Sequence, residues 1–201
     1  MPHPPPTEPG AQSDADPPAS QRQRMLAGEP YRADDAEIVA DALRARRLQD
    51  AFNQTAADDG EERRRILGEL LGAIGAGTEV RPPLYCDYGW QIRIGDRTFV
   101  NFGLVALDVA AITIGDDVQI GPNVQLLTPT HPLDADARRA KWESARPITI
   151  SSNVWLGGGA IVLPGVSIGE NTVVGAGAVV ARDLPDAVLA VGNPARIVRE
   201  L

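Results

Sequence analysis

The sequence predicts an all-β solenoid, a parallel β-helix, and three observations lead to this fold class. Composition is one of them, because 4% aromatic residues with 20 glycines and 17 prolines suit a narrow aliphatic core with many turns. The other two are runs of an aliphatic residue at every sixth position, one late and one early in the chain: Ile150, Leu156, Val162, Ile168, Val174 and Val180, and before them Ile94, Val100, Ile114, Ile120 and Leu126. A period of six is that of a coil whose units each form one flat side and point their first residue inward.

The chain divides into three predicted parts. Residues 1–24 contain seven prolines and almost no apolar side chain, so burial cannot offset the entropy cost of ordering them, and we expect a disordered tail. Residues 25–77 are predicted to form a short helical segment that packs on the coil. Residues 78–201 are predicted to form the β-helix itself, with an extruded loop at residues 127–147, where the six-residue spacing fails.

Two amphipathic helices are predicted in the helical segment. Asp34 or Asp35 is expected to cap the first, and its apolar side chains recur at intervals of three and four. They are Ile38, Val39, Ala42 and Leu43, with Leu48 and Phe52 beyond. The second helix is expected from about Asp59, with Gly72 and Gly75 ending it. Its predicted apolar side consists of Ile66, Leu67, Leu70 and Leu71.

Charge and cysteine content exclude several classes of function. A net charge of −8 argues against a general binder of nucleic acids or membrane surfaces, which would show a basic face. The single cysteine, Cys86, excludes an intramolecular disulfide framework and fits a reducing compartment. There is no apolar run of membrane-spanning length, so we expect a cytoplasmic protein.

His131 is the strongest candidate for a catalytic residue. The chain has two histidines, and the other, His3, lies in the predicted tail. His131 sits at the mouth of the extruded loop, between Pro129 and Pro132. A histidine is the usual general base near neutral pH. Taken alone it could equally be a surface histidine, but its place at the break in the repeat favours a catalytic role.

Four segments carry a family resemblance. They are VWLGGGAIVLPGVSIGENTVVGAGAVVARDLP, the upstream MLAGEPYRADD, YCDYG, and the ending NPARIVRE. From about Met25 to Leu201 the chain resembles the hexapeptide-repeat acyltransferases, and within them the maltose, galactoside and nodulation-type sugar O-acetyltransferases. The resemblance implies a left-handed parallel β-helix, a homotrimer with active sites between subunits, and acetyl-CoA as the donor, with no metal required.

The resemblance also implies roles for individual residues. His131 matches the catalytic histidine, Trp155 a tryptophan beside the coenzyme A arm, and Gly158 the residue whose backbone N–H faces the thioester carbonyl. Three positions match residues of the acceptor site: Asn101, Asp34 and Asp87. Five match the donor-binding stretch of the last turns: Ala176, Ala181, Arg182, Arg196 and Arg199. One departure is Val109, where the family often carries a second acidic residue after Asp108.

These residue types suit the transfer of an acetyl group from a thioester to a hydroxyl. A hydroxyl has too high a pKa to attack a thioester unaided, so a base such as His131 must remove its proton. The tetrahedral oxyanion then needs a preorganised donor, which a backbone N–H in a glycine-rich turn supplies. Coenzyme A carries phosphates, which arginine binds in a bidentate manner.

The predicted function is therefore an acetyl-CoA-dependent O-acetyltransferase that acts on a maltose-, glucose- or galactoside-like sugar. Its expected partners are a small-molecule acceptor and further copies of the chain, with neither nucleic acid nor membrane. The alternatives are another small acceptor, such as serine, an amino-sugar or an antibiotic, and a non-catalytic solenoid used in assembly. A β-helical carbonic anhydrase would need three histidines on a metal, which the chain does not provide. Cys86 is interpreted as structural or pocket-lining because no second histidine is available to activate it.

Overall fold

The structure, a computed structural model, describes residues 19–201 and confirms the predicted solenoid. A parallel β-coil of about six turns follows a short helical segment. The elements ahead of the coil are α1 (Gln21–Leu26), β1 (Tyr31–Arg32), α2 (Ala36–Asn53) and α3 (Gly60–Leu70). No helix within residues 19–201 is long and apolar enough to cross a membrane.

Each complete turn of the coil contributes three short strands. The first three turns contain β2 (Ala73–Ile74), β3 (Glu79–Val80), β4 (Leu84–Cys86), β5 (Ile92–Ile94), β6 (Phe99–Val100), β7 (Leu104–Leu107), β8 (Ile112–Ile114), β9 (Gln119–Ile120) and β10 (Gln125–Leu127). The extruded loop contains β11 (Pro129–Thr130), α4 (Ala135–Arg139) and β12 (Trp142–Ala145). The remaining turns contain β13 (Ile148–Ile150), β14 (Trp155–Leu156), β15 (Ile161–Val162), β16 (Ser167–Ile168), β17 (Val173–Val174), β18 (Val179–Val180), β19 (Val188–Val191) and β20 (Arg196–Glu200).

Equivalent strands of successive turns stack into three sheets. The first sheet has the order β2-β5-β8-β13-β16, the second β3-β6-β9-β14-β17-β19-β20, and the third β4-β7-β10-β15-β18. Pairing within them is parallel except where β20 returns antiparallel along β19. The chain therefore runs from the first sheet to the second, then to the third, and turns a corner between each pair of sheets.

The core lies inside this prism, as the six-residue spacing predicts. No residue of the two predicted aliphatic series is more than 4% exposed. Burying one such side chain contributes about 1.5–3 kcal/mol, and the series repeats that contribution on every turn. Alternate residues point outward and form the faces of the prism.

The coil begins earlier than the boundary expected at residue 78, because β2 already pairs with β5. The helix before it ends at Leu70, with Leu71 as its C-cap, so Gly72 and Gly75 lie beyond the helix end. They open the first turn instead: a Cβ at either position would overlap the backbone of the next turn. Their small size is needed for this close approach.

Both predicted helices are present, with some differences in detail. Asp35 rather than Asp34 caps α2, and its carboxylate accepts a hydrogen bond from the N–H of Glu37 at 2.8 Å. The buried residues of α2 are Ile38, Ala45, Gln49 and Phe52. Val39 and Leu43, expected on the apolar side, are 52% and 47% exposed. They lie outside the helix face formed by the buried residues, which is the face that packs on the coil. The predicted apolar side of α3 is buried.

The predicted tail falls mostly on residues 1–18, outside the described residues. Residues 21–24 belong to α1, which Ser20 caps in a reciprocal arrangement with Gln23. A helix therefore begins within the last residues of the segment expected to be disordered.

The extruded loop is an ordered hairpin, and the N-terminal segment holds it. β11 and β12 are antiparallel, with Thr130 opposite Ser144. β12 also pairs with β1, with Tyr31 opposite Glu143. A second apolar cluster joins the segment, the hairpin and the coil: Met25, Tyr31, Ile38, Tyr88, Val109 and Ala145.

Two carboxamides of α2 cover the exposed edge of the third sheet. Gln49 donates to the carbonyl of Cys86 at 3.1 Å and accepts from its N–H at 2.8 Å. Asn53 makes the same pair of bonds with Leu84, at 3.1 and 2.8 Å. Side chains one helical turn apart thus replace the strand that β4 lacks at its free edge.

Replacing Gln49 with leucine should lower the free energy of unfolding by about 1–3 kcal/mol, because the Cys86 backbone groups lose their partners. Urea unfolding at a fixed protein concentration measures this change. Arg47→Ala, an exposed substitution on the same helix, is the matched control and should stay within about 0.5 kcal/mol. Equal stabilities for the Gln49→Leu variant and the control would show that the amide does not protect the edge.

Candidate functional site

The corner between the second and third sheets is rich in glycine, and we call it the glycine corner (residues 101–103, 121–123, 157–159 and 175–177). A pocket of about 290 Å³ lies against it. Its lining includes Phe99, Asn101, Gln119, Gly121, Trp155 and Gly158. The structure thus brings together three residues that the sequence predicted: Asn101, Trp155 and Gly158.

Free backbone donors mark this corner. Among residues 19–201, the N–H groups of Gly158 and Ala176 have no protein acceptor. The Asn101 side-chain oxygen accepts from the N–H of Phe102 at 2.9 Å, which leaves its amide hydrogens free. The corner can therefore donate hydrogen bonds to a carbonyl oxygen or an oxyanion held in the pocket.

Gly121 allows the turns to stack closely at this corner. A Cβ at this position would lie 2.5 Å from the nitrogen of Gly158, closer than real Cβ atoms approach. The next residues of the corner also need glycine, since Gly159 and Gly177 both have φ of +69°. These constraints explain why the donors are surrounded by backbone and not by side chains.

Trp155 forms an apolar surface beside the corner. It points outward from the second sheet, is 56% exposed, and has Gln119 and Val173 as its neighbours on adjacent strands. Phe99, on the strand beyond Gln119, is stacked by Arg81 at 4.8 Å from the ring centre. The outer face of the second sheet thus offers flat, partly apolar contacts next to free N–H groups.

The corner between the third and first sheets has a different character, and we call it the carboxylate corner (Asp87, Asp108 and Glu143, with Tyr31 and Tyr88). Asp108 is fully buried and accepts from the N–H groups of Asp87, Tyr88 and Gln91 at 3.1, 2.8 and 3.2 Å. Tyr31 donates to Glu143 at 3.0 Å. Three carboxyl groups are therefore gathered where the extruded hairpin leaves the coil.

Burial governs protonation at this corner. It raises the pKa of Asp87 to about 6, with further contributions from the negative charges of Asp108 and Glu143. Burial likewise raises the pKa of Asp108 to about 6, opposed by its backbone hydrogen bonds. The pKa values of Tyr31 and Tyr88 are also raised, mainly by burial. Both tyrosines therefore remain neutral hydrogen-bond donors.

His131 follows directly after β11 and is exposed. The hairpin positions it: Thr130, its neighbour, is bonded through its hydroxyl to that of Ser144 at 2.8 Å. Thr130 is opposite Ser144, which neighbours Glu143, so the hairpin places His131 near the carboxylate corner. Its side chain makes no hydrogen bond within residues 19–201.

The predicted site residues do not form one cluster within one chain. Asn101, Trp155, Gly158 and Ala176 belong to the glycine corner and the adjoining sheet. Asp87 and His131 lie at the next corner, beyond the third sheet. Ala181 and Arg182 follow β18 at that same side of the coil, whereas Arg196 and Arg199 lie on β20 at the edge of the second sheet. Asp34 is exposed between β1 and α2.

Sequence reasoning assigned no chemical role to Gly121, Glu143 or Tyr31. Gly121 follows an aliphatic position of the six-residue series, as Gly157 does, so the pattern could have revealed it. The Tyr31–Glu143 bond joins residues 112 positions apart and only the fold brings them together. Within residues 19–201 no group of three or more His, Cys, Asp or Glu side chains could hold a metal ion.

Cys86 is the last residue of β4 in the third sheet and is partly buried. Burial and the nearby charges of Asp108 and Asp87 raise the pKa of its thiol well above the usual range. A thiol held protonated in this way is a poor nucleophile, which agrees with its interpretation as a structural residue.

Comparison with known protein families gives two matches. The maltose acetyltransferase hexapeptide capping motif matches residues 24–75, and the bacterial transferase hexapeptide (six repeats) matches residues 147–182. Among curated relatives, nodulation protein L of Rhizobium meliloti is 49% identical over 178 residues, covering 89% of this chain and 97% of that protein.

Solved structures give the same result. The maltose O-acetyltransferase from Clostridium difficile 630 has a TM-score of 0.90 and 41% identity, covering 91% of this chain and 98% of that chain. A hexapeptide-repeat acetyltransferase from Vibrio cholerae O1 biovar eltor, solved in complex with acetyl coenzyme A, has a TM-score of 0.85 and 44% identity. That match covers 91% of this chain and 99% of the other.

Asp87→Asn should increase stability at neutral pH and much less under acid conditions. The folded state holds the Asp87 proton up to about pH 6, whereas an unfolded aspartate releases it near its ordinary pKa of 3.8. Folded stability is therefore lost as the pH rises between these two values, and asparagine removes that loss. Melting temperatures of both proteins from about pH 4 to about pH 7 measure the effect. A difference in melting temperature between the two proteins that does not change with pH would contradict a raised pKa for Asp87.

Proposed function

Because the chain belongs to the hexapeptide-repeat acetyltransferases, we propose that it transfers an acetyl group from acetyl-CoA to a hydroxyl group of a sugar, with His131 as the general base. The observation that carries this proposal is the glycine corner, where the free N–H of Gly158 lies in one pocket with Asn101 and Trp155. The Vibrio relative bound to acetyl coenzyme A supports the donor, and the maltose O-acetyltransferase supports a sugar acceptor.

The donor would lie along the outer face of the second sheet. Its thioester carbonyl oxygen accepts the hydrogen bond of Gly158, and Trp155 contacts the apolar arm of the cofactor. The N–H of Ala176, on the next turn, is about 4.8 Å further along and can bond an amide of that arm. The phosphates need local cations because the chain carries a net charge of −8, and the exposed Arg182, Arg196 and Arg199 can provide them.

The reaction is a direct transfer. The acceptor hydroxyl oxygen forms a bond to the thioester carbon while His131 takes the hydroxyl proton. The negative charge that develops on the carbonyl oxygen is stabilised by the N–H of Gly158. The carbon–sulfur bond then breaks, and the imidazolium returns the proton to the sulfur, which gives the acetyl ester and free coenzyme A.

Two copies of the chain are needed to complete this site. His131 and Gly158 lie at successive corners of one prism with the third sheet between them. In a closed ring, the glycine corner of one copy meets the hairpin of the next, and a homotrimer is the proposed assembly.

The outward-facing side chains of the coil support the same arrangement. After Tyr85 on the first turn, the outward row of the third sheet continues with Val105, Gln125, Ile161 and Val179, all of them only partly exposed. The matching row of the first sheet is exposed and polar, with Arg93, Thr113 and Thr149. The later turns of the third sheet, away from Tyr85, are therefore better suited to contact a neighbouring copy, and the first sheet is better suited to face solvent.

The acceptor would bind at the carboxylate corner. Asp34 and Asp87 can accept hydrogen bonds from sugar hydroxyls, and Asn101 of the neighbouring copy can donate one. Val109 packs in the apolar cluster of the hairpin and has no ionisable group. Glu143 is the carboxylate on β12, next to Ser144, which is opposite Thr130.

A coenzyme A release assay with acetyl-CoA and a panel of sugars, serine and antibiotics tests the proposal. We expect release with sugars, and His131→Ala should lower kcat about 10²–10⁴-fold with little change in the KM for acetyl-CoA, because only proton removal is lost. Leu133→Ala, a fully exposed change in the same loop, is the control.

Three outcomes would contradict parts of the proposal. An unchanged kcat in the His131 variant would exclude it as the base. Release only with serine or an antibiotic would exclude a sugar acceptor. No release with any acceptor would favour a non-catalytic solenoid.

A further inference from the structure

We propose that the groove between α2 and the third sheet is a subsite for a second sugar ring, so that the preferred acceptors contain at least two linked rings. This inference rests on the proposed sugar acetylation and extends it to residues that the reaction chemistry does not use. The groove is separate from the pocket at the glycine corner and has a volume of about 340 Å³. That volume lies at the lower end of the range of ligand pockets, about 300–1,000 Å³, which suits one ring.

The groove is continuous with the acceptor site through Asp87, which lines one end of it. The backbone N–H of Asp87 is fixed by Asp108 at 3.1 Å, and its carboxyl group makes no hydrogen bond within residues 19–201. The backbone at Asp87 is thus fixed, and its carboxyl group is available for hydrogen bonding between the two regions. A ring bonded to Asp87 for reaction would direct its next linked ring into the groove.

An aromatic ring forms one wall. Tyr85 points outward from β4, is 50% exposed, and its hydroxyl makes no hydrogen bond within the described part of the chain. The C–H face of a pyranose ring packs well on such a ring, and the hydroxyl remains free for a sugar oxygen. Leu107 also lines the groove, and the small side chain of Ala42 on α2 leaves room for an occupant.

Two charged side chains on α2 are available for hydroxyl groups. Arg46 and Asp50 are one helical turn apart, and oppositely charged residues at this spacing usually pair with each other. They do not pair here, and within residues 19–201 neither makes an ion pair or a side-chain hydrogen bond. Both are exposed and line the groove. Arg46 can therefore donate to, and Asp50 accept from, the hydroxyl groups of one ring.

The charge of the groove selects among sugars. It contains one cation, Arg46, and two carboxyl groups, Asp50 and Asp87. A phosphorylated or nucleotide-linked sugar would place its negative charge against two carboxyl groups, which is unfavourable. A neutral disaccharide or glycoside fits the arrangement better. Gln49 forms part of the wall only, because its amide is already bonded to Cys86 on both sides.

The test compares kcat/KM of the full-length enzyme for paired acceptors: glucose with maltose, and galactose with lactose. Tyr85→Ala and Arg46→Ala should each lower kcat/KM for the disaccharide about ten-fold more than for its monosaccharide, since only the disaccharide reaches the groove. Tyr85→Phe should retain most of the preference because the ring is kept. Arg47→Ala, on the outer side of the same helix, is the matched control and should change neither value.

Each outcome decides between the two proposals. Equal losses for both acceptors in the Tyr85 and Arg46 variants, or no loss in either, would overturn the subsite while sugar acetylation stands. If the unsubstituted enzyme releases no coenzyme A with any of the four sugars, the proposed function fails and the subsite with it. Arg46→Ala and Tyr85→Phe change exposed side chains, so the comparison remains decisive even if Tyr85→Ala folds poorly.

Discussion

The close stacking of successive backbone turns is the constraint on which the rest of the structure depends. Parallel strands lie about 4.8 Å apart, and at the corners this spacing leaves no room for a Cβ that points at the next turn. Gly121 meets Gly158, and Gly157 meets Ala176, in this way. The same glycines that allow the turns to stack leave backbone N–H groups free at the surface, so the donors of the proposed site follow from the packing of the scaffold.

The coil also gives its corners different chemical properties. The glycine corner offers neutral backbone donors and a flat apolar face, which suits a thioester and its arm. The carboxylate corner offers Asp87, Asp108 and Glu143 in buried surroundings that raise the pKa of the two aspartates to about 6. It also carries the hairpin with His131, tied to the N-terminal segment by the Tyr31–Glu143 bond. The N-terminal segment therefore holds the hairpin that carries the proposed base, besides covering the end of the sheet.

Much of the fold could be predicted from the sequence because the period of a repeat indicates which residues point into the coil and where each turn bends. The position of every buried series residue follows from one period, and the hairpin lies where that period breaks. The repeat also indicates the corner at which each of these residues lies. Asn101 and Gly158 follow strands of the second sheet, whereas His131 follows strands of the third. Pairings between distant segments could not be obtained this way. The bonds of Gln49 to Cys86 and of Tyr31 to Glu143 depend on how the helical segment folds back, and no local pattern encodes that path.

The proposed active site combines the glycine corner of one copy with the hairpin of another. Mixing Asn101→Ala chains with His131→Ala chains and allowing them to assemble together tests this arrangement. If random ring assembly pairs intact corners with intact hairpins, about a quarter of the sites should be complete, and about a quarter of the original turnover should return although each variant alone is impaired. A mixture that is no more active than the average of the two variants would show that both residues act within a single chain.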